Sequence, residues 1–195
     1  MKHMQPVILA SSSPRRQELL RQIGMSFVVD PADIDERLLP GEQPEVYALR
    51  LARGKARTAS RKNKEGIVVA ADTIVILDAE LMGKPVDARD AEGMLERLSG
   101  REHRVITGLA IMDAASGKLL AKTAETKVWF RTLEPEEIRS YVATGEPLDK
   151  AGAYGIQGKG ALLIERIEGC YYNVVGLPLS LLSVMLGEFG VHFMK

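Results

Sequence analysis

The chain has 195 residues, and its 26 lysines and arginines balance 26 aspartates and glutamates, which gives a formal net charge of zero. This neutrality argues against a nucleic-acid coat protein, although it is compatible with a local basic site. Cys170 is the only cysteine, so no internal disulfide can form, and we expect a reducing, cytoplasmic location. The apolar runs are shorter than the ~18 residues of a membrane helix. Residues 1–6 leave no room for a signal peptide. From the short apolar runs we expect no membrane partner, and from the neutral charge no nucleic-acid partner.

The N-terminal part of the chain predicts a strand, a helix and a second strand. Residues 7–10 are apolar and indicate a short buried strand. Ser13 and Pro14 then suit the N-cap and the first position of a helix. Residues 27–29 indicate the second strand, which leads into an acidic loop that contains Glu36.

The middle of the chain predicts a long helix and a central strand. Residues 44–61 carry an apolar stripe at helical spacing, and Lys55 falls on this stripe, which is unusual for a lysine. Residues 67–77 are the most apolar run of the chain and indicate a central strand, yet Asp72 lies in its middle. The apolar spacing of residues 91–98 predicts a further helix.

The second half of the chain adds strands, helices and a glycine-rich segment. Strands are expected over residues 105–112, 119–130 and 161–167, with a hairpin turn at 113–117 between the first two. Helices are expected over residues 135–145 and 179–189, and the glycine-rich segment covers residues 149–160. This order of elements predicts an α/β fold with a mixed, twisted sheet flanked by helices, as one domain or two small lobes.

The first candidate site is the junction between the first strand and the first helix. Ser11, Ser13, Arg15 and Arg16 would meet there with the free backbone N–H groups of the helix, which suits an anion such as phosphate. An ordinary capped helix with two solvated arginines explains the same residues equally well. The Gly-Lys-Ser/Thr ending of a phosphate-binding P-loop is missing from this segment, so it is not a P-loop.

Asp72 is the more specific candidate, because a carboxylate inside an apolar strand must pair with a positive charge, bind a metal or have a raised pKa. Such a group is suited to the role of metal ligand or general base. The alternative is a strand that ends at Ala71, with Asp72 as the first residue of a loop. Glu36 could be a second metal-binding carboxylate, since Mg²⁺ on a triphosphate usually takes one or two protein acids. Acidic loops are, however, most often only solvated.

Three further residues have an ordinary and a functional interpretation. Lys55 could lie along its helix for structural reasons, and Lys84 could be an ordinary surface lysine. The glycine-rich segment could be a plain loop, or its backbone could approach a ligand closely while Gln157 bonds a base edge. The three histidines are scattered without the spacing of metal ligands, so we expect neither a zinc site nor a serine hydrolase.

Seven stretches, in order along almost the whole chain, resemble the Maf family of nucleotide pyrophosphatases. They are LASSSPRR (residues 9–16), RLARGKA (50–56), ADT (71–73), GKP (83–85), LSG (98–100), DKAGAYGIQG (149–158) and VGLP (175–178). The resemblance implies a single domain over residues 1–195, with an elongated fold like that of inosine triphosphatases and a central cleft between two lobes. It also implies a requirement for Mg²⁺ or Mn²⁺, and cleavage between the α and β phosphates of a nucleoside triphosphate.

The resemblance further implies a role for each candidate residue. The early serines, Ser11 and Ser13, and Arg15 would contact the nucleotide. Glu36 and Asp72 would hold the metal, with Asp72 as the catalytic acid that activates water. Lys55 and Lys84 would lie near the phosphates, and Thr73 and Gln157 would help to select the base.

Within the family, the chain is similar to the branch that acts on dTTP and UTP. It has Thr73 after the aspartate and Gln157 before the last glycine of YGIQG. The branch that prefers 7-methyl-GTP typically has glutamine and glutamate at these positions. Modified pyrimidine nucleotides are further candidate substrates. A nucleotide-binding regulator of septum formation, with incidental hydrolysis, stays open as an alternative, and a homodimer is compatible with the sequence.

Overall fold

The computed structural model describes residues 5–193, so most of the N-terminal segment 1–6 and one histidine, His3, lie outside the described part. Its strands are β1 (Val7–Leu9), β2 (Phe27–Val29), β3 (Ile67–Leu77), β4 (Glu80–Met82), β5 (Glu102–Asp113), β6 (Leu119–Phe130) and β7 (Ile164–Glu168). Its α-helices are α1 (Pro14–Gln22), α2 (Pro44–Lys62), α3 (Ala88–Leu98), α4 (Pro135–Val142), α5 (Tyr171–Val175) and α6 (Leu179–Gly187). Short 3₁₀ helices cover Glu146–Asp149, Ala151–Ala153 and Gly158–Leu163. Within residues 5–193, every helix is too short or too polar to cross a membrane.

The strands form one mixed sheet, which confirms the predicted α/β class. Their order is β2-β1-β3-β5-β6-β7, and β4 pairs with β3 beside this path. β1 is parallel to both β2 and β3, with Val7 opposite Phe27 on one side and Ile67 on the other. The β3–β4 and β6–β7 pairs are antiparallel.

The chain divides into two compact units, and it passes from one to the other within β3, β5 and β6 and again after α5. Unit 1 contains the described residues up to Asp72, Thr107–Ala124 and those from Gly176 onward. Unit 2 contains Thr73–Ile106 and Glu125–Val175.

In unit 1, α2 packs against the sheet through the alanine stripe that its sequence predicts. Ala52, Ala56 and Ala59 are completely buried in one core cluster with residues of β1 and β3. Gly108 of β5 allows a still closer approach, because a Cβ there would lie 2.2 Å from the carbonyl oxygen of Ala48. Small side chains on both elements therefore hold α2, which carries Lys55, tightly against the sheet.

In unit 2, a second core gathers around aromatic side chains. Phe130 lies between His103 and Tyr154, with ring centroids 5.1 Å and 4.8 Å away, and all three rings meet edge to face. Leu95 and Leu98 of α3 and Ile138 of α4 are buried in the same cluster.

The largest departure from the sequence prediction is at residues 158–167. A strand over 161–167 is wrong in its first half, because Gly158–Leu163 is a 3₁₀ helix and β7 begins only at Ile164. The backbone N–H groups of Lys159 and Gly160 donate to the Glu146 carboxylate. The apolar pattern of the sequence does not show this contact. The short elements β4 and α5 were also not predicted, and α4 and α6 end three and two residues earlier than expected, at Val142 and Gly187.

Candidate active site

Asp72 lies inside a continuous strand, so the alternative in which it begins a loop is wrong. Its side chain is only 13% exposed, and so is that of Lys55 on α2. The Lys55 ammonium donates to Asp72 Oδ1 over 2.5 Å. A carboxylate this deeply placed needs such a partner, because an unpaired buried charge is costly.

Lys55 also contacts a second acid. Its Nζ lies 2.7 Å from Glu36 Oε1, and the Glu36 side chain is 56% exposed. Two carboxylates, one mostly buried and one open to solvent, thus converge on a single cation. We refer to Glu36, Lys55 and Asp72 as the carboxylate–lysine cluster.

Tyr47 holds the Glu36 loop in place. Its hydroxyl donates to the backbone oxygen of Glu36 over 2.7 Å, and its side chain is buried. Burial, followed by the nearby charges of Asp72 and Glu36, raises the pKa of Tyr47. Tyr47 is not among the residues predicted from the sequence, although it lies about two helical turns before Lys55 and so on the same face of α2.

The strand-to-helix junction has the predicted cap. The Arg16 backbone N–H donates to Ser13 Oγ over 3.5 Å, which makes Ser13 the N-cap of α1. Ser11 is buried, and its Oγ accepts from the Ser13 backbone N–H at 3.2 Å and from Arg16 Nη1 at 3.1 Å. The Ser11 hydroxyl hydrogen is left to donate to a further acceptor.

Arg16, which the sequence predicts at this junction, makes a long-range contact that the sequence does not reveal. Its Nε donates to the backbone oxygen of Gly176 over 2.8 Å, so its guanidinium is fixed from two sides. Burial lowers its pKa, the charges of Asp72 and Glu36 oppose that change, and the neighbouring Arg15 adds to it. The half-buried Arg15, Arg16 and the carboxylate–lysine cluster therefore share one electrostatic environment within unit 1.

The carboxylate–lysine cluster suits a hard divalent cation. Glu36 and Asp72 offer carboxylate oxygens, the ligands that Mg²⁺ and Mn²⁺ prefer, and both already converge on one positive charge. Residues 5–193 contain no group of three or more acidic, histidine or cysteine side chains that would enclose a metal. Two protein carboxylates would leave the other coordination positions to water and to phosphate oxygens, which is the usual arrangement for Mg²⁺.

The remaining predicted residues lie in unit 2. Thr73 is half-buried in β3, whereas Lys84 and Gln157 are exposed on loops. The two loops are joined, because the Gly152 backbone N–H donates to the Gly83 oxygen over 2.9 Å. Gly152 has a φ of 70°, and a Cβ there would come within 3.0 Å of Val75, so only glycine fits this junction. The roles of Thr73, Lys84 and Gln157 stay predictions.

Comparison with known proteins places this site in a family. The chain matches the family described as Maf-like protein over residues 6–189. It is 48% identical to the dTTP/UTP pyrophosphatase of Syntrophomonas wolfei over 96% of this chain and 99% of that protein. It is 54% identical to the dTTP/UTP pyrophosphatase of Symbiobacterium thermophilum, over 96% and 95% of the two chains. Among solved structures, the Staphylococcus aureus Ham1 protein has the same fold, with a TM-score of 0.54 at 15% identity over 95% of this chain and all of that one.

Proposed function

The chain belongs to the Maf-like protein family, and we propose that it is a cytoplasmic, metal-dependent enzyme that hydrolyses nucleoside triphosphates to the monophosphate and pyrophosphate. We propose dTTP and UTP as the main substrates, with modified pyrimidine nucleotides as further ones. The names of the relatives in Syntrophomonas and Symbiobacterium support this choice. The observation that carries the proposal is the position of Lys55, within hydrogen-bonding distance of both Glu36 and Asp72.

Asp72 is proposed to activate the attacking water. Its carboxylate would take the proton as the water oxygen bonds to the α-phosphorus, and the bond from that phosphorus to the bridging oxygen would break. Pyrophosphate leaves with the electrons of that bond, so the nucleotide product is a monophosphate. The Lys55 ammonium aligns the carboxylate for this proton transfer, and beside Asp72 and Glu36 it retains one N–H donor for a phosphate oxygen.

Glu36 and Asp72 are the residues that would hold the divalent cation. Mg²⁺ or Mn²⁺ bound there would neutralise phosphate charge and polarise the phosphorus–oxygen bonds. A pure nucleotide-binding protein has no need of a mostly buried carboxylate, since without a cation it would repel phosphate. The mostly buried Asp72 therefore favours an enzyme over a regulator of septum formation.

The strand-to-helix junction is proposed to bind phosphate oxygens. The N-terminus of α1, the Ser11 hydroxyl and the Arg15 and Arg16 guanidiniums all favour negative charge. Ser13 would contribute mainly by capping α1, because its hydroxyl oxygen already accepts from Arg16. Lys84 would add a further charge for the phosphates, and Thr73 and Gln157 would select the base, as the family resemblance implies.

Chromatography of a UTP digest tests this proposal. With Mg²⁺ present, we expect UMP and pyrophosphate as the first products, and the same cleavage of dTTP. Appearance of UDP and inorganic phosphate would overturn the proposed cleavage site. Comparison of wild type with Asp72→Asn distinguishes the enzyme from the binding protein, because the variant should still bind nucleotide while its pyrophosphate release falls roughly 10²–10⁴-fold.

A further inference from the structure

Glu146 precedes the glycine-rich segment, residues 149–160, in the chain, and its carboxylate binds the backbone of that segment. Its Oε1 accepts from the Tyr141 hydroxyl at 3.0 Å and from the Gly160 backbone N–H at 3.1 Å. Its Oε2 accepts from the Lys159 backbone N–H at 3.1 Å. The Tyr141 oxygen in turn accepts from the Gly155 backbone N–H at 3.3 Å. The carboxylate and the phenol therefore bind the backbone on both sides of Gln157.

Two glycines of the segment are required by this close approach. A Cβ at Gly158, whose φ is 65°, would lie 2.8 Å from Glu146 Oε2. A Cβ at Gly160 would lie 2.7 Å from the Tyr141 hydroxyl and 2.1 Å from the Gly155 oxygen. The backbone of the segment is thus folded around the Glu146 carboxylate, and a side chain at either position would force it away.

Tyr154 provides a second attachment within the same segment. Its hydroxyl lies 2.6 Å from His103 Nε2, and its ring packs against Phe130 in the core of unit 2. Ile156 is also buried, whereas Gln157 immediately after it is exposed. The segment is therefore fixed to the core up to Ile156 and to Glu146 from Lys159, and it presents the Gln157 amide to solvent between these two attachments.

We propose that Glu146 is a positioning residue for base selection: it sets the place and direction of the Gln157 amide without touching the nucleotide. This proposal rests on the proposed function, in which Gln157 bonds the base. Both Glu146 oxygens already accept bonds from the chain itself, and a carboxylate would repel the phosphates, so its effect must pass through the segment. An amide that bonds one donor and one acceptor discriminates between bases only if its position is held to within a fraction of an ångström.

The direct test is a comparison of Glu146→Ala, Glu146→Gln and Glu136→Ala. Glu136 is an exposed acid on α4 that pairs with Arg139, so Glu136→Ala changes the net charge equally without touching the segment. For Glu146→Ala we expect KM for dTTP and UTP to rise about tenfold, the effect of weakening one hydrogen bond to the base. kcat should stay within about twofold, because the groups at the phosphates are intact. The ratio of kcat/KM for UTP to kcat/KM for 7-methyl-GTP should fall by about the same factor as KM for UTP rises.

The conservative variant gives an internal control. Glu146→Gln keeps one oxygen for Tyr141 and Gly160 but turns an amide N–H towards the Lys159 N–H, so its KM should lie between those of wild type and Glu146→Ala. Glu146→Gln is also the variant to use if Glu146→Ala does not fold. Glu136→Ala should match wild type in KM, kcat and substrate order.

Amide hydrogen exchange tests the attachment without relying on activity. Peptides that cover residues 155–160 should exchange faster in Glu146→Ala than in wild type, while Glu136→Ala leaves them unchanged. If wild type released no pyrophosphate, the proposed function would be wrong. Faster exchange in Glu146→Ala would still show that Glu146 holds residues 155–160 in place. The positioning role is overturned by unchanged exchange, by unchanged KM and substrate order, or by an equal loss of kcat on all nucleotides.

Discussion

Lys55 and Asp72 are 17 residues apart in the chain, one on α2 and the other on β3, and their side chains meet over 2.5 Å with only 13% of each exposed. Neither residue can be removed without leaving the other largely buried and without this partner. The pair is therefore at once a structural contact and the centre of the proposed chemistry.

Lys55→Met should destabilise the protein. It keeps most of the side-chain volume but leaves the carboxylates of Asp72 and Glu36 facing each other without the ammonium between them. We expect a loss of about 1–3 kcal/mol in unfolding free energy, less than for a fully buried pair because water still reaches Glu36. Urea unfolding measures it, with Lys62→Met as the matched control, since that lysine is 52% exposed and lies 3.4 Å from Asp30. Equal stability of the two variants would show that the pair contributes little to the fold.

His103 should make the stability of the protein depend on pH in the acid range. Burial lowers its pKa from 6.5 to about 4, so the folded protein keeps the imidazole neutral. Between pH 6.5 and about 4 the unfolded chain therefore binds a proton that the folded protein does not, and stability falls as pH falls. The contribution of His103 to this loss of unfolding free energy should reach about 3 kcal/mol near pH 4 and increase no further below it.

His103→Gln is the variant that isolates this effect. Its amide can still bond the Tyr154 hydroxyl, but it does not titrate in this range. In urea unfolding at several pH values, the unfolding free energy of the variant should fall less steeply between pH 6.5 and 4 than that of wild type. At pH 8, the pH dependence of the two proteins should be nearly the same. An unchanged slope would mean that the imidazole is already protonated in the folded protein.

Sequence periodicity predicts the regular elements here because local contacts determine them. The alanine stripe of α2 and the apolar runs of β3 and β6 specify their own burial, and the predicted limits of β3 and β6 agree with the structure to the residue. The glycine-rich region behaves differently. Glycines permit the 3₁₀ turn at Gly158–Leu163, but the Glu146 carboxylate defines it, and no periodic pattern reports a bond between residues 146 and 160.

The same distinction applies to the candidate site. Asp72 could be identified from the sequence, because an acid in an apolar strand conflicts with its surroundings. Its pairing with Lys55 could not, since this depends on how α2 packs over the sheet. The sequence also gives no reason to choose between adjacent arginines at the helix start. Arg16 is fixed by the backbone oxygen of Gly176, 160 residues away, and only the fold reveals that contact.

Arg15 and Lys84 should act on phosphate charge rather than on base identity. Alanine variants of each should therefore lower kcat/KM for dTTP and UTP by similar factors. Arg16→Ala should have the same uniform effect and should also reduce stability, because Ser11 Oγ and the Gly176 oxygen each lose one hydrogen bond from Arg16. Steady-state kinetics on both nucleotides measures these factors, and a variant that reverses the order of the two substrates would contradict the assignment.

Base preference should follow Gln157 and Thr73. An amide can accept from N3–H of uracil or thymine and donate to a carbonyl oxygen, whereas glutamate only accepts, as suits the N1–H and amino group of guanine. Gln157→Glu combined with Thr73→Gln should therefore shift the preference from dTTP and UTP towards 7-methyl-GTP. Relative kcat/KM values for the three nucleotides measure the shift. A wild type already fastest on 7-methyl-GTP, or a double variant with unchanged order, would refute this prediction.

If Asp72 activates a water that attacks the α-phosphorus, hydrolysis of UTP in ¹⁸O-labelled water should place the label on that phosphorus. Mass spectrometry should find one ¹⁸O in UMP and none in pyrophosphate. Asp72→Asn should form labelled UMP roughly 10²–10⁴ times more slowly while it remains folded. Label in pyrophosphate would contradict attack at the α-phosphorus, and an Asp72→Asn variant with half the wild-type rate would contradict the role of Asp72.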